Sequence, residues 1–226
     1  LLLTLALLAC APHRYVMDVA TLEAVAAEVR GMEGPDGADR AALVAAAQDA
    51  LHDAWPELIE AAPAGTWWFN SVGGSLASIQ VLWCSPHEYV ALWGSPVPTD
   101  GFSGRYDKLD VWDVMITGRM ASYAPGEHTA TWYENGGTHP TSFLSRGEGR
   151  HFSLQDGAYM IDYGRGWLPS AMRVGLRLGH KHVTGDSWSR HQMIRTCRSQ
   201  TLHNWFDKDR RRAIKRYRQA SEGEAP

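Results

Sequence analysis

The chain is poor in cysteine. Its three, Cys10, Cys84 and Cys197, are an odd number with no CxxC pair, which argues against a disulfide framework and against a thiolate zinc site. It also lacks an apolar run of the ~20 residues that cross a bilayer as a helix. The one candidate, Leu1-Leu2-Leu3-Thr4-Leu5-Ala6-Leu7-Leu8-Ala9-Cys10, opens the chain without a methionine. Three readings fit it: the end of a longer membrane anchor, the h-region of a signal peptide, or an imperfect lipoprotein box that would put a lipid on Cys10. A buried helix end is the fourth. No internal repeat is visible, and no recognised nucleic-acid module accompanies the basic residues.

What is present points to one core with helical additions, which is what 226 residues allow. Tryptophan (10) and glycine (22) are in excess. The net charge of -3 hides an asymmetry: residues 1–164 carry 8 basic and 20 acidic side chains, residues 165–226 carry 14 and 5. A basic tail on an acidic body fits nucleic acid, an anionic membrane surface, or merely a solvated helix face.

Residues 15–64 have helical spacing. Thr21 is placed to cap a stripe of Leu22, Val25, Ala26 and Val29, and Asp39 to start a second through Leu43, Ala47 and Leu51, with Pro35-Asp36-Gly37 between them. From residue 65 to 168 the texture is that of short strands: 66–71, 76–83, 87–94, 110–117, 128–134, 150–155 and 158–163, the last two joined by an Asp156-Gly157 hairpin signal. After Pro169 helical spacing returns to about residue 220, with a tail over 221–226. Asp186 or Ser187 can cap a longer helix in which Trp188, Ile194, Cys197, Trp205 and Phe206 are laced with arginines, suited to lying on an anionic bilayer.

Two strands carry an anomaly. In Asp110-Val111-Trp112-Asp113-Val114-Met115-Ile116 both faces are largely apolar, and Asp113 shares its face with Val111 and Met115. Asp162 likewise shares its face with Ala158 and Met160. A buried carboxylate needs a partner or a proton. If the two face each other, one pKa rises and they share a proton, giving an anion for a cationic ligand or an acid and base for moving a double bond. Alternatively each aspartate caps a turn or pairs with an arginine such as Arg105 or Arg165.

Four stretches carry a family resemblance: Phe69-Asn70-Ser71-Val72-Gly73-Gly74, Ser85-Pro86-His87-Glu88-Tyr89-Val90, Gly101-Phe102-Ser103-Gly104-Arg105-Tyr106, and Asp162-Tyr163-Gly164-Arg165-Gly166-Trp167-Leu168-Pro169-Ser170. In this order and spacing they resemble the fungal C-8 sterol isomerase and sigma-1 receptor family. The resemblance implies an α+β protein: a cupin-like β-barrel behind an N-terminal membrane anchor (1–14), with flanking N- and C-terminal helices, often trimeric. It implies no metal and no cofactor. The only His-x-His, His180-Lys181-His182, falls in the helical tail. By resemblance Asp162 meets the ligand amine or carbocation, Asp113 hydrogen-bonds to it, and Tyr89 lines the pocket. Trp93, Trp112, Ile79, Val81 and Met172 complete the expected ligand-binding set. Glu88 reads as a structural hydrogen-bonding residue near a strand start, or as a supporting acid. The chain departs from the family at Asp162, where glutamate is usual, at Phe102 for a histidine, at Ser75 for a tryptophan, and in its arginine-rich C-terminal helices. These bear on substrate and on membrane embedding.

Three functions follow: a sterol or isoprenoid double-bond isomerase, a non-catalytic binder of sterols or amphipathic amines, and a structural relative whose pocket is filled. The implied partners are a sterol or hydrophobic amine, membrane lipids and two further copies of the chain, with no nucleic acid. The implied location is membrane-associated: endoplasmic reticulum in a eukaryote, envelope or lipoprotein in a bacterium.

Overall fold

The structure is a computed structural model that describes residues 15–30, 32, 39–171 and 186–223. The expected anchor and Met172 lie outside these residues. Among the described residues no helix is long and apolar enough to cross a membrane.

Helices α1 (Val19–Arg30) and α2 (Arg40–Ala54) precede eight strands: β1 (Trp68–Val72), β2 (Ser75–Cys84), β3 (Glu88–Gly94), β4 (Thr99–Phe102), β5 (Leu109–Tyr123), β6 (Thr131–Glu134), β7 (Thr141–Leu144) and β8 (His151–Gly166). Helices α3 (Asp186–Phe206) and α4 (Lys208–Gly223) follow. Asp39 caps α2 as its position predicts, accepting from the Ala41 and Ala42 N–H groups. Helix α1 starts earlier than expected. Asp18 rather than Thr21 is the capping residue, taking both the N–H and the hydroxyl of Thr21 at 2.8 Å. At the C-terminal end Asp207 interrupts the helical run and caps α4 through the Asp209 and Arg210 N–H groups.

The strands form one antiparallel sheet in the order β1-β2-β3-β8-β5-β6, with β4 paired to β8 and β7 to β5. Strands β3, β5 and β8 are buried on both faces, which explains their nearly continuous apolar sequences. One face packs under the N-terminal helices, where Leu22, Val29 and Leu51 meet Val90, Leu92, Ile116 and Tyr163. The other face turns inward on a second core built from Ile79, Trp93, Met115, Leu154 and Met160.

The expected Asp156-Gly157 hairpin is absent, because β8 runs unbroken from His151 to Gly166. Both residues do have positive φ, 57° and 68°. The bend they make is a bulge rather than a reversal: opposite it sits Gly118 at φ 66°, and the β5–β8 register slips between Thr117↔Tyr159 and Arg119↔Gln155. The slip resets the alternation of β5. Val111, Asp113 and Met115 face inward before it, Met120 and Ser122 after it.

The cysteine reading also needs correction. Cys84 at the end of β2 and Cys197 on α3 form a disulfide across 113 residues of sequence. Spacing carries no signal for such a pair, and the odd count only means that Cys10 is left over.

Candidate functional site

The register of β5 against β8 makes Asp113 and Asp162 direct cross-strand partners. Residues so placed share a face with Cβ atoms ~4.5–5.5 Å apart. Both carboxyls line a cavity of about 90 Å³ in the inward core, smaller than the ~300–1,000 Å³ usual for drug-sized ligands. Its walls are mostly apolar, with Val111, Met120, Leu144, Trp93 and Phe152 among them.

Strand β3 delivers Tyr89 to the pair. Its hydroxyl donates to Asp162 Oδ1 at 2.7 Å. The ring fits because its cross-strand partner is Gly164: a Cβ there would lie 2.1 Å from Tyr89 Cε1. The glycine after Asp162-Tyr163 is therefore a spatial requirement of the tyrosine ring. Trp93 sits four residues further along β3 on the same inward face, its indole N–H donating to Asn70 Oδ1 at 3.2 Å and its ring edge-on to Phe152.

Burial raises the pKa of both aspartates, because the apolar core disfavours the charged form. Asp162 is pushed up to about 7, held from going higher by the Tyr89 hydrogen bond. Asp113 is raised well above the usual carboxylate range, first by desolvation and then by the charge on Asp162. When the pair holds one proton, that proton belongs on Asp113 and the charge on Asp162. Among the described residues no ion pair neutralises either one. Chemically this is a negative centre in an apolar cavity beside a neutral acid.

Glu88, adjacent to Tyr89, points to the opposite face. Its carboxyl accepts from the Val16 and Met17 N–H groups and from the Tyr163 hydroxyl. Desolvation raises its pKa to about 7 against those hydrogen bonds. It ties the start of the described chain to the sheet and does not line the cavity.

The expected ligand-binding set divides. Tyr89 and Trp93 line the cavity with the two aspartates. Trp112 does not: it stacks on Phe143 on the other face of β5, beneath the Arg165 guanidinium. Next to Asp113 in sequence, it is necessarily on the opposite side of a strand. Ile79 and Val81 belong to the inward core without lining the cavity. Tyr106 and Arg150 line it and were not foreseen. Tyr106 ends one of the four diagnostic stretches, which was a usable signal; Arg150 precedes β8 with no motif to mark it. Among the described residues no cluster of three metal-ligating side chains occurs.

The structure is thus an antiparallel sheet around a mostly apolar cavity, with a tyrosine-held aspartate pair on its wall. The particular family follows from comparison. The chain belongs to the family described as "ERG2 and Sigma1 receptor like protein", whose model matches residues 1–207. It is 27% identical to the C-8 sterol isomerase ERG2 of Gibberella zeae, over 73% of this chain and 66% of that protein. It is 30% identical to the C-8 sterol isomerase of Pyricularia oryzae, over 50% and 49%. To the sigma non-opioid intracellular receptor 1 of Danio rerio it is 34% identical, over 49% and 48%. The chain thus spans about half to two thirds of the length of these relatives. Among solved structures it is similar to a predicted oxalate decarboxylase from Thermotoga maritima (TM-score 0.39, 11% identity, 48% of this chain and 98% of that one). An RmlC-like cupin from Shewanella frigidimarina is comparable (TM-score 0.36, 9% identity, 48% and 89%). At these scores the likeness carries no weight for function.

Proposed function

We propose that this chain is a C-8 sterol isomerase-like protein that moves a ring double bond from Δ8 to Δ7 by protonation and deprotonation at Asp113 and Asp162, without a cofactor. The observation that carries the reading is the cross-strand aspartate pair in an apolar cavity, one member held by Tyr89. The neutral Asp113 carboxyl gives its proton to one alkene carbon, and the alkene electron pair forms the new C–H bond. The cation left on the neighbouring carbon is steadied by the carboxylates and by the Tyr89 and Trp93 rings. Asp162 then takes a proton from the carbon on the cation's far side, and that C–H electron pair becomes the shifted double bond. Proton transfer back from Asp162 to Asp113 restores the site. No atom is gained or lost overall. The cavity must widen as a four-ring substrate enters.

The test is conversion of a Δ8-sterol by detergent-solubilised protein. Product from the wild type and none from Asp162→Asn or Asp113→Asn supports the reading. No product from folded wild type removes it.

A second reading, a non-catalytic binder of sterols or amphipathic amines, draws support from the absence of a cationic partner for the pair among the described residues: an ammonium would supply one. Tight amine binding without sterol turnover would favour it. The filled-pocket reading draws on the small volume of the cavity, about 90 Å³; sterol conversion or tight amine binding would remove it.

For the setting we propose membrane association through α3, where Ile194, Trp205 and Phe206 are exposed beside Arg195 and Arg198. That fits the endoplasmic reticulum in a eukaryote or the envelope in a bacterium. Co-flotation with anionic vesicles tests it, and light scattering tests the homotrimer.

A further inference from the structure

The cavity has a second polar end. Along β8 the even-numbered residues other than Asp156, which sits exposed in the bulge, face inward: Phe152, Leu154, Ala158 and Met160 lie in the inward core, and Asp162 lines the cavity. Continued back by one step, the same alternation reaches Arg150, which lines the cavity just before the strand begins. In the β5–β8 ladder, Asp113↔Asp162 lies toward one end and Ser122↔Phe152, beside Arg150, toward the other. The carboxyls and the guanidinium are therefore the two polar poles of a cavity whose remaining wall is mostly apolar.

Arg150 is positioned but poorly paired. Its backbone is fixed on both sides by Ser103, whose hydroxyl accepts from the Arg150 N–H at 2.9 Å and whose N–H donates to the Arg150 carbonyl at 2.9 Å. Its Nε is buried and has no hydrogen-bond partner among the described residues. The nearest carboxylate, Glu148, stands 4.0 Å from Nη2, at the limit of an ion pair, and is half exposed. The neighbouring hydroxyls already spend their protons on backbone carbonyls, Ser103 on Gly104 and Ser122 on His151. At this pole the guanidinium Nε–H is thus a donor without an acceptor, and a buried N–H left unpaired is costly until something accepts from it.

We propose that Arg150 is a specificity-determining residue that reads an acceptor oxygen at the end of the ligand remote from the aspartate pair. The inference rests on the site proposed above and narrows its ligand class. The ligand is an elongated apolar molecule with a cationic or cation-forming centre at one end and a hydroxyl, keto or carboxylate oxygen at the other. A carboxylate is the strongest match, since a charge-assisted pair to guanidinium exceeds a neutral one. A plain apolar amine satisfies only one pole.

The experiment compares two probes on purified full chain: an N,N-dimethylalkylamine of about ten carbons ending in methyl, and the same amine ending in carboxylate. Affinities are measured for wild type, Arg150→Met, Arg150→Lys and Asp162→Asn, with folding checked by near-UV circular dichroism. The expected result is that Arg150→Met weakens the carboxylate probe about tenfold or more and the methyl probe less than about twofold, a differential of about fivefold or more, roughly 1 kcal/mol. Arg150→Lys, which keeps the charge but loses the fork, falls between. Equal losses for both probes, no preference by the wild type, or no binding of either probe overturns the proposal. Failure of the aspartate-pair reading is a separate outcome: the methyl probe would then bind Asp162→Asn as tightly as wild type, whatever Arg150 does to the carboxylate probe.

Discussion

Asp113 and Asp162 are the same residue type in the same core, and one hydrogen bond separates their behaviour. Tyr89 donates to Asp162 and so favours its ionised form, leaving the proton to Asp113. In Tyr89→Phe that preference disappears. The apparent pKa of Asp162, about 7 in the wild type, should move upward, which carboxyl carbon NMR titration would read directly. Each aspartate is legible in sequence because a carboxylate flanked by apolar neighbours on its own strand face has to be accounted for; that the two face each other is one of two open readings there, and the one the family resemblance implies. Trp112, expected in the ligand-binding set, lies on the far face because a strand's period of two puts sequence neighbours on opposite sides. Arg150 escaped for a different reason. An arginine before a strand in a stretch such as Arg146-Gly147-Glu148-Gly149-Arg150 looks like an ordinary solvated loop residue, and only the continued alternation of β8 turns it inward.

At the scale of elements, the bulge in the β5–β8 ladder decides which β5 residues see the cavity. Gly118 occupies it at φ 66°, and a Cβ there would lie 2.6 Å from the Ala158 Cα and N atoms. Gly118→Ala combines a left-handed backbone with a clash against main chain, so a loss of about 2 kcal/mol or more is expected in a urea titration. The local signal at Asp156-Gly157 was real in its dihedral angles and misleading in its topology, since positive φ serves a bulge as well as a hairpin. The helices were legible as elements but not in their docking. Helix α3 is held to β2 by the Cys84–Cys197 disulfide and by Gln200 and Asn204 donating to the Leu82 and Cys84 carbonyls. Cys197→Ser, or reduction, should lower stability by about 2–4 kcal/mol. If α3 relies on this tether, its amides should also exchange faster, while those of α1 and α2 stay unchanged.

The whole molecule is a sheet between two cores, and it buries acids in both. Asp113 and Asp162 lie on the cavity side; Glu88 lies on the helix side, clasping Val16 and Met17. The charge asymmetry of the sequence is partly spent internally: Arg216 and Tyr217 on the basic helix α4 both reach Glu57, and Ala213 and Ile214 pack into the helix-side core. That pairing is at the surface and contributes little. The buried acids contribute in an unusual direction. Each has a folded pKa raised above its unfolded value, so between about pH 4.5 and 7 the native state binds more protons than the unfolded one. Stability is then full below the unfolded pKa and is lost as pH rises through the folded pKa. The wild type should melt higher at pH 5 than at pH 8, the reverse of a protein whose carboxylates are held by ion pairs. Asp162→Asn and Glu88→Gln each remove one such group and should flatten the curve, with a gain at pH 8 on the order of 3–4 kcal/mol per site as an upper bound. Glu88→Gln gives back part of that gain, since a neutral amide accepts more weakly from two backbone N–H groups. A melting temperature independent of pH in this window, or rising with it, would mean that these carboxyls are solvated in the native protein, and the aspartate pair would lose the neutral acid on which the proposed proton transfer depends.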